Sequence, residues 1–471
     1  MIRTGEKKVP WWWVGVLGIP IMGGQFVEHS SGAALTFTMN KFIKEPWLLT
    51  LLLSINILFN FVVAPVIAYQ SDRIWTRFGR RKPYIVAGWA GLVLSLIFVP
   101  LAPNVWTLVV VIILYQFFED IAFTGPWTPL YNEVVPVSQR GRASGFNVFL
   151  QHVSTLYFSF FLIGKFDDKQ ISKVGTFFAD LFGKGPVYIT GEQFIYWITA
   201  CVICVATIVV AFFIKETPIK QHALLGERFS MRKFLKSVFG ERQWQILYVI
   251  IFAQVAMNQG IAAFGPLMMT KQFGYTKAQM GQIDGWIVIA RMIMVVPLAG
   301  YLADKFDRVR IFQVALVAAT IHHISWWGFI QFVAAEGIPS IPAIACFNVF
   351  GSFFNVAGNI ALAPLLFDFV PRNRMGTVFA GMSFVRGIIK IVLLNGVGVW
   401  VSFYSRIFPP SRGEFDYSCA LLYTTLLGLL GCLTSIYFIK QRKKGKMIEY
   451  GKMEDEAEQP PQPEVPKPVA V

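Results

Sequence analysis

Ionisable side chains stand inside long apolar runs of this chain, far from any loop. They are Glu28, His29, Glu119, Asp120, Arg291, Arg386 and Lys390. A charge held at mid-membrane depth costs several kcal/mol unless it is paired or hydrated, so each side chain is predicted to belong to a substrate or coupling site. These acids all precede these bases in the chain. The division favours a cavity that closes by charge attraction between two parts of the protein.

The acids of this set could carry a coupled proton. Desolvation raises the pKa of a carboxyl group and an adjacent Arg or Lys lowers it, so one side chain can bind a proton on one side of a membrane and release it on the other. We predict this role for Asp120 or Glu119 first and for Glu28 second. His29, beside Glu28, is predicted to share its site. The alternative is a permanent ion pair between helices, which needs no titration.

Amide side chains recur at helical spacing in other apolar runs. One row has spacings of four, three and four, and a second pair is spaced by four: Asn348, Ser352, Asn355 and Asn359, then Gln254 and Asn258. Each set therefore shares one helix face. Amides offer both donors and acceptors, as a polyhydroxy ligand requires. Helix-to-helix hydrogen bonding is the alternative. We predict His322 and His323 to be structural, at the periphery of the bundle.

The composition indicates what must position these side chains. Among 471 residues, 55% are hydrophobic and only 15% are charged, and the mean hydropathy is +0.55. That is too little charge to surround a soluble core of this size, which predicts an integral membrane protein. The net charge of +15 is spread over short loops rather than gathered on one face, so no nucleic-acid partner is predicted.

Apolar runs of about 20 residues, the length that crosses a bilayer, define the predicted fold. We predict an all-α integral membrane protein of twelve spans in two pseudo-symmetric six-helix halves. Spans 1 to 6 are approximately 11–38, 47–70, 84–102, 105–133, 143–164 and 192–215. Spans 7 to 12 are approximately 244–270, 280–303, 311–333, 340–369, 376–402 and 417–440.

Basic residues concentrate in the loops after the even-numbered spans, which predicts that both termini are cytoplasmic. The basic segment 215–243 is read as a cytoplasmic linker between an N-terminal bundle, 1–214, and a C-terminal bundle, 244–446. The remainder, 447–471, is acidic and rich in proline. It is predicted to be a disordered cytoplasmic tail.

Two short segments repeat between the halves. The loop Ser71–Pro83 reads SDRIWTRFGRRKP, and a degraded copy, DKFDRVR, lies at Asp304–Arg310. The second repeat is PLYNEVVP at Pro129–Pro136 and PLLFDFVP at Pro364–Pro371. A basic loop follows each member of the second pair. Matching landmarks at matching places indicate a duplicated architecture.

Together, the twelve spans, the basic linker and the DRxxxRxGRR loop resemble the major facilitator superfamily of secondary transporters. The extended loop and the segment GPWTPLYNE at Gly125–Glu133 are similar to its glycoside and sucrose symporter branch. The chain departs from that branch at Thr128, where sucrose-type members carry arginine. It departs again at Asn56 and Asn60, where melibiose-type members carry cation-binding aspartates.

The resemblance implies a conformational latch between the halves. Asp72 would accept amide hydrogens at the start of span 11, near Gly376, and pair with Arg140 or Arg142, while Gly79 lets the loop turn sharply. The alternative is a basic loop that sets topology and does not switch. The predicted latch residues are Asp72, Arg73, Arg77, Gly79, Arg80, Glu133, Arg140, Arg142, Asp304, Asp368 and Arg374.

The prediction is an alternating-access symporter that moves a small polar solute, a sugar or glycoside, together with a proton. The alternatives are an exporter or importer of another solute, such as a nucleoside, peptide fragment or drug-like compound, and coupling to sodium. No nucleotide loop or metal-site spacing is visible, so an enzyme, a cofactor and a metal are not predicted. We expect a monomer surrounded by lipid in the cytoplasmic (inner or plasma) membrane.

Overall fold

In this computed structural model, the described residues are 2–3, 10–73, 75–171, 176, 187–216, 236, 239–332, 338–370, 375–410 and 413–448. Some predicted site residues lie outside this description, either wholly or in their side chains: Asp72, Arg73, Arg140, Asn258, Asp304 and Arg374. Most of the predicted linker and nearly all of the predicted tail lie outside it too. Below, described residues 10–216 are called the N-terminal region and 239–448 the C-terminal region.

Helices make up most of the described chain. The α-helices of the N-terminal region are Trp11–His29, Leu35–Phe42, Pro46–Arg73, Lys82–Phe98, Val105–Glu119, Thr128–Val134, Val137–Tyr157 and Gly191–Ile208. Those of the C-terminal region are Arg242–Ala262, Gly265–Leu267, Lys277–Ala290, Val296–Lys305, Arg308–Phe332, Ile341–Asp368, Met375–Ile407 and Cys419–Lys443. Asn104, Thr190 and Thr276 accept backbone N–H bonds at the N-termini of three of them, which satisfies donors that the helix leaves free.

Wider π-helical turns interrupt several predicted spans. They are Ser30–Ala34, Asp120–Trp127, Phe158–Leu162, Val209–Phe213, Met268–Gln272 and Arg291–Val295. Two begin at predicted site residues, Asp120 and Arg291, and one begins directly after His29. Such turns re-aim side chains and occur frequently at functional sites. Short 3-10 turns, Val99–Leu101 and Ile163–Lys165, end two further helical stretches.

Four short strands form two small sheets. Strand β1 (Ile2–Arg3) pairs in parallel with β4 (Ile214–Lys215). Strand β2 (Lys169–Ile171) pairs antiparallel with β3 (Tyr188–Thr190), with Gln170 opposite Ile189. The second sheet closes the loop between predicted spans 5 and 6 and leads into the helix that begins at Gly191.

Among the described residues, eight helices are long and apolar enough to cross a membrane. They correspond to predicted spans 3, 4, 5, 6, 8, 10, 11 and 12. Large apolar side chains project outward from them, for example Phe98, Trp106 and Phe212, as expected of helices that face lipid. The all-helical membrane class is therefore supported, and the number twelve stays a prediction.

The two regions pack closely at one end of the bundle. One hydrophobic core contains residues of both regions, from Trp13 to Leu421, and a second lies within the C-terminal region. Helix Pro46–Arg73 packs against Met375–Ile407, where a Cβ added at Gly398 would lie 2.9 Å from the Pro46 carbonyl oxygen. A Cβ at Gly164 would lie 2.9 Å from Ala278 Cα. Glycine thus permits two close contacts between the regions.

Candidate functional site

A cavity of about 450 Å³ lies between the two regions, a size that suits a small organic ligand. The N-terminal region contributes polar side chains from His29, Thr155 and Ser159. The C-terminal region contributes Asp284, Arg291, His322, His323, Asn348, Ser352 and Asn355, with Trp326 beside them. Five residues singled out in the sequence are therefore brought together here: His29, Arg291, Asn348, Ser352 and Asn355.

Arg291 and Asp284 present opposite charges to the cavity from one helical stretch. Arg291 Nε donates to Ser352 Oγ at 2.9 Å, which fixes the guanidinium while its other nitrogens remain available. Asp284 lies seven residues earlier, on the same face, and interacts electrostatically with Arg291. Within the described part of the chain, neither residue has an ion-pair partner within 4.0 Å. A solute can therefore find an acceptor and a donor on this face.

Asn355 adds a second acceptor. Its Nδ2 atom donates to the Gly351 carbonyl oxygen at 3.4 Å. Its Oδ1 atom is buried and has no hydrogen-bond partner among the residues described. Because an unmade buried hydrogen bond costs about 1–3 kcal/mol, a ligand hydroxyl that reaches this oxygen would be stabilised.

Two further predicted amides, Gln254 and Asn359, bind each other. Gln254 Nε2 donates to Asn359 Oδ1 at 2.9 Å, and Asn359 Nδ2 donates to the Asn355 carbonyl oxygen at 2.9 Å. Neither Gln254 nor Asn359 is among the residues that line the cavity. These contacts match the alternative reading, in which amides join neighbouring helices.

Glu28 and His29 are connected through Gln25. Gln25 Nε2 lies 3.1 Å from Glu28 Oε2 and 3.2 Å from His29 Nε2. The same His29 nitrogen lies 2.8 Å from Thr155 Oγ1, and the imidazole stacks on Phe158 at a centroid distance of 5.3 Å. His29 thus reaches the cavity while Glu28 faces the acidic cluster beside it.

The acidic cluster contains the predicted coupling carboxyls. Glu119 interacts electrostatically with Asp120 and Glu28, and it accepts a hydrogen bond of 3.2 Å from Asn56 Nδ2. Asn60 Nδ2 in turn lies 3.4 Å from Asn56 Oδ1. Asn56 and Asn60 therefore support Glu119.

Lys390 of the C-terminal region faces Glu28 of this cluster, and Arg386 lies beside Lys390. Lys390 interacts electrostatically with Glu28 and with Arg386. The Arg386 Nε atom is buried and makes no hydrogen bond to any described residue. The interaction of Lys390 with Glu28 crosses the boundary between the two regions.

Three ionisable residues of the cavity were not among the predicted site residues. The expectation of a peripheral position for His322 and His323 differs from the structure, which places both against the cavity. His322 packs directly over Gly351, where a side chain would collide with its ring, and its Nε2 lies 3.0 Å from the Phe347 carbonyl oxygen. Asp284 is the third such residue. Its spacing of seven from Arg291 places both side chains on one helix face, and this could have predicted it from the sequence.

The basic loop before Lys82 is anchored by two glutamates of its own region. Glu133 Oε1 pairs with Arg80, and with Arg81 Nη1 at 2.6 Å. Glu216 accepts backbone N–H bonds from Arg80, Arg81 and Lys82 at 3.1, 3.1 and 2.8 Å. A carboxylate at this position caps the helix that begins at Lys82.

Other predicted latch residues take separate positions. Gly79 has φ +119°, a conformation that favours glycine, and it closes the turn with Thr76. Arg77 and Arg142 are exposed, and the Arg77 guanidinium lies 4.7 Å from the Phe78 ring centroid. In the C-terminal region, Asp368 accepts two hydrogen bonds of 3.1 Å from Arg308 Nη1.

A charged cluster joins the two regions at the opposite end of the bundle. Helix Pro46–Arg73, of 28 residues, separates the two ends by roughly 40 Å at 1.5 Å per residue. Lys277 Nζ lies 2.5 Å from Asp167 Oδ1, and 4.0 Å and 4.7 Å from the ring centroids of Phe166 and Phe37. We call these four residues the Lys277 clasp. Beside it, Lys41 pairs with Glu192.

These features define a helical membrane protein with a polar cavity between two regions. A family model described as Major Facilitator Superfamily matches residues 21–394. The chain belongs to this superfamily. It is therefore a multi-pass membrane transporter of small molecules and not an enzyme, as the sequence predicted.

Two comparisons show individual proteins to which the chain is similar. It is 24% identical over 387 residues to the multidrug resistance protein MdtG of Proteus mirabilis (strain HI4320), over 74% of this chain and 84% of that protein. The fold is similar to the crystal structure of a bacterial homologue of the human lysosomal transporter Spinster, in an inward-facing and unoccupied conformation. The TM-score is 0.63 and the identity 13%, over 92% of this chain and 98% of that one. Neither confirms the resemblance to the sugar branch.

Proposed function

We propose that the chain is a twelve-span secondary transporter that moves a hydroxyl-rich polar solute, a sugar or glycoside, by alternating access coupled to protons. The observation that carries this proposal is the set of available donors and acceptors in the cavity. Asp284 accepts and Arg291 donates, and the buried Asn355 Oδ1 has no hydrogen-bond partner among the described residues. A sugar hydroxyl both donates and accepts, so adjacent hydroxyls can use both kinds of group.

The cavity also offers apolar surface for such a solute. Trp326 lines it beside Ile287 and Val288, and a flat ring suits the apolar face of a sugar. Mixed apolar and polar lining is typical of sites for small molecules, where a few polar groups set orientation.

The acidic cluster supports proton coupling. Glu119 and Asp120 lie within one region, while the cations Arg386 and Lys390 belong to the other. Movement of one region past the other would change the distance between them and thereby the free energy of protonating a carboxylate. Asp120 and Glu119 remain the first candidates to carry the proton, and Glu28 the second.

The arrangement of ion pairs favours a conformation that is closed at the Lys277 end. The Lys277 clasp crosses between regions. At the other end, the Arg80–Glu133 and Arg308–Asp368 pairs each join residues of a single region. The basic loops support a cytoplasmic position for that second end, and the proposed state is open to the cytoplasm. We propose that 1–214 and 244–446 are its two moving bundles.

Uptake into proteoliposomes tests the proposed function. Purified protein is reconstituted, and accumulation of labelled monosaccharides, disaccharides and glycosides is measured with an imposed pH gradient, a sodium gradient or neither. We expect accumulation of at least one of these solutes, driven by the pH gradient and reduced by Asp284→Asn. Accumulation of none of them, by protein shown to be folded, would end the sugar proposal. Dependence on sodium alone would replace the proton as the coupling ion.

A second candidate is export of an amphipathic drug-like compound. The similarity to a protein named for multidrug resistance favours it, and Asp284 is an exposed carboxylate that could attract a cation. Arg291 on the same face opposes that reading. The two candidates separate in cells that express the protein: an exporter lowers the accumulation of a fluorescent amphipathic cation, and Asp284→Asn abolishes this effect.

A further inference from the structure

The hydrogen bonds that connect Glu28 to Thr155 constrain the protons between them. A single nitrogen, Gln25 Nε2, contacts both Glu28 Oε2 at 3.1 Å and His29 Nε2 at 3.2 Å. That His29 nitrogen also lies 2.8 Å from Thr155 Oγ1. The Thr155 hydroxyl has a second acceptor, the Gln151 carbonyl oxygen, at 3.0 Å.

When Glu28 is ionised, each of these groups has a definite role. A carboxylate only accepts, so Gln25 donates one amide hydrogen to Glu28. The other hydrogen of the same NH₂ group points to His29 Nε2, which must then accept. The proton of the neutral imidazole is therefore on Nδ1, and the Thr155 hydroxyl donates either to His29 or to the Gln151 carbonyl.

Protonation of Glu28 permits the opposite set of roles. Its hydroxyl can donate to the Gln25 carbonyl oxygen after the amide turns over, which changes its shape little because amide oxygen and nitrogen are nearly the same size. The Gln25 oxygen then also faces His29 Nε2 and accepts from it. The imidazole must now carry its proton on Nε2, while Thr155 can accept and still donate to Gln151.

We propose that Gln25 is a positioning residue that couples the proton on Glu28 to the donor or acceptor role of His29 at the cavity. Because Gln25 and Thr155 occupy Nε2, the role left for a solute is that of Nδ1: with Glu28 ionised Nδ1 carries the proton and donates, and with Glu28 protonated it accepts. A hydroxyl-bearing solute would meet a different partner in each state. The effect on transport rests on the proposed function. The exchange of donor and acceptor roles between Nδ1 and Nε2 of His29 is independent of it.

Charged groups on several helices set the conditions for this exchange. Those around Glu28 are Glu119, Asp120, Arg386 and Lys390. Those that line the cavity with His29 are Asp284, Arg291, His322 and His323. Substitutions at these positions would shift the pH at which the exchange occurs without removing the hydrogen-bond connection itself.

Nuclear magnetic resonance of the full chain in nanodiscs tests the proposal without any solute. Ring nitrogens of isotope-labelled histidine report which nitrogen carries the proton, and the His29 signals are assigned by their loss in His29→Gln. The Glu28 carboxyl carbon, assigned by Glu28→Gln, reports its own protonation. As pH falls, we expect Nδ1 to lose its proton as Nε2 gains one, with the same midpoint as Glu28.

That signature differs from ordinary titration of histidine, in which both ring nitrogens become protonated. In Gln25→Leu, the exchange should disappear although Glu28 still titrates. Gln151→Leu is the matched control, because the chain uses the backbone carbonyl of that residue and not its side chain. An unchanged Nδ1 proton through the Glu28 transition in the native protein would overturn the proposal.

Transport then tests the consequence. For any solute that the protein accumulates, Gln25→Leu should flatten the pH dependence of the half-saturation concentration and leave exchange of the solute at a single pH in place. If the nitrogen exchange occurs but no solute is transported, the proposed function fails and the proton connection stands. If a solute is transported with an unaltered pH dependence in Gln25→Leu, the connection has no role in coupling.

Discussion

Lys277 and Asp167 form an ion pair that joins the two regions of the transporter, with Nζ 2.5 Å from Oδ1. The Lys277 side chain is 15% exposed and the Asp167 side chain 70%. Solvent weakens such a pair, so its Coulomb energy alone is about 0–1 kcal/mol. The rings of Phe166 and Phe37 add a cation–π contribution of roughly 0.5–1 kcal/mol.

Removing the Lys277 charge should therefore open this end of the bundle. Lys277→Gln is expected to lower the ratio of closed to open molecules by roughly fivefold, since about 1 kcal/mol corresponds to that factor. Distances between spin labels on the loops before Gly191 and after Phe273 measure the change. Lys271→Gln, an exposed lysine in the same segment, is the control. Equal distance distributions in both variants would show that the Lys277 clasp does not hold the regions together.

Glu216 should stabilise the basic loop through its three amide contacts. Its side chain is 2% exposed, and hydrogen bonds to a charged acceptor contribute about 1.5–3 kcal/mol. Glu216→Gln should lower the thermal unfolding temperature of the purified protein and raise proteolysis near Gly79. Asp168→Asn, which changes an exposed carboxylate, should do neither. An unchanged unfolding temperature in Glu216→Gln would show that Glu216 does not stabilise this loop.

Gly281 and Gly300 should respond oppositely to the same substitution. A Cβ at Gly281 would collide with the Ser159 carbonyl oxygen of the other region, whereas one at Gly300 would meet nothing within 4 Å. Alanine is intrinsically better than glycine in a helix by about 1 kcal/mol. Gly300→Ala is therefore expected to raise thermal stability, and Gly281→Ala to lower it and to disfavour the closed state. Stabilisation by both would show that the close contact is absent.

Asp284 and Arg291 should determine solute affinity. Once a solute is identified, Asp284→Asn and Arg291→Gln are each expected to raise its half-saturation concentration by about 10-fold to 100-fold, since a lost charge-assisted hydrogen bond costs about 1.5–3 kcal/mol. Ser352→Ala, which frees the guanidinium without removing it, should have a smaller effect. Counterflow at one pH provides the measurement. An unchanged half-saturation concentration in Asp284→Asn would show that the solute does not bind at Asp284.

The membrane helices, several candidate site residues and the superfamily could be predicted from the sequence because the relevant signals are local. Long apolar runs predict membrane helices, since a helix must bury its backbone in lipid. A charged residue such as Arg291 within such a run indicates a site, because lipid penalises it wherever the chain folds. The loop Ser71–Pro83 predicted the superfamily, which the match over 21–394 confirms.

Partners across the bundle could not be predicted in the same way. Lys277 and Asp167 are 110 residues apart, and Glu216 is 135 residues from Arg81. Nothing in the local pattern distinguishes these acids from others in the loops. Their pairing depends on how helices from different parts of the chain pack.

By itself, the sequence determined that this protein is helical, lies in a membrane and keeps charges within it. The tertiary structure decided which of those charges share a space. Gln254 and Asn359 bind each other, whereas His322 and Asp284 join His29 and Arg291 at the cavity. The reason is that hydropathy depends on each residue's own free energy of transfer, while a cavity and its hydrogen bonds depend on distances of a few ångströms between helices remote in sequence.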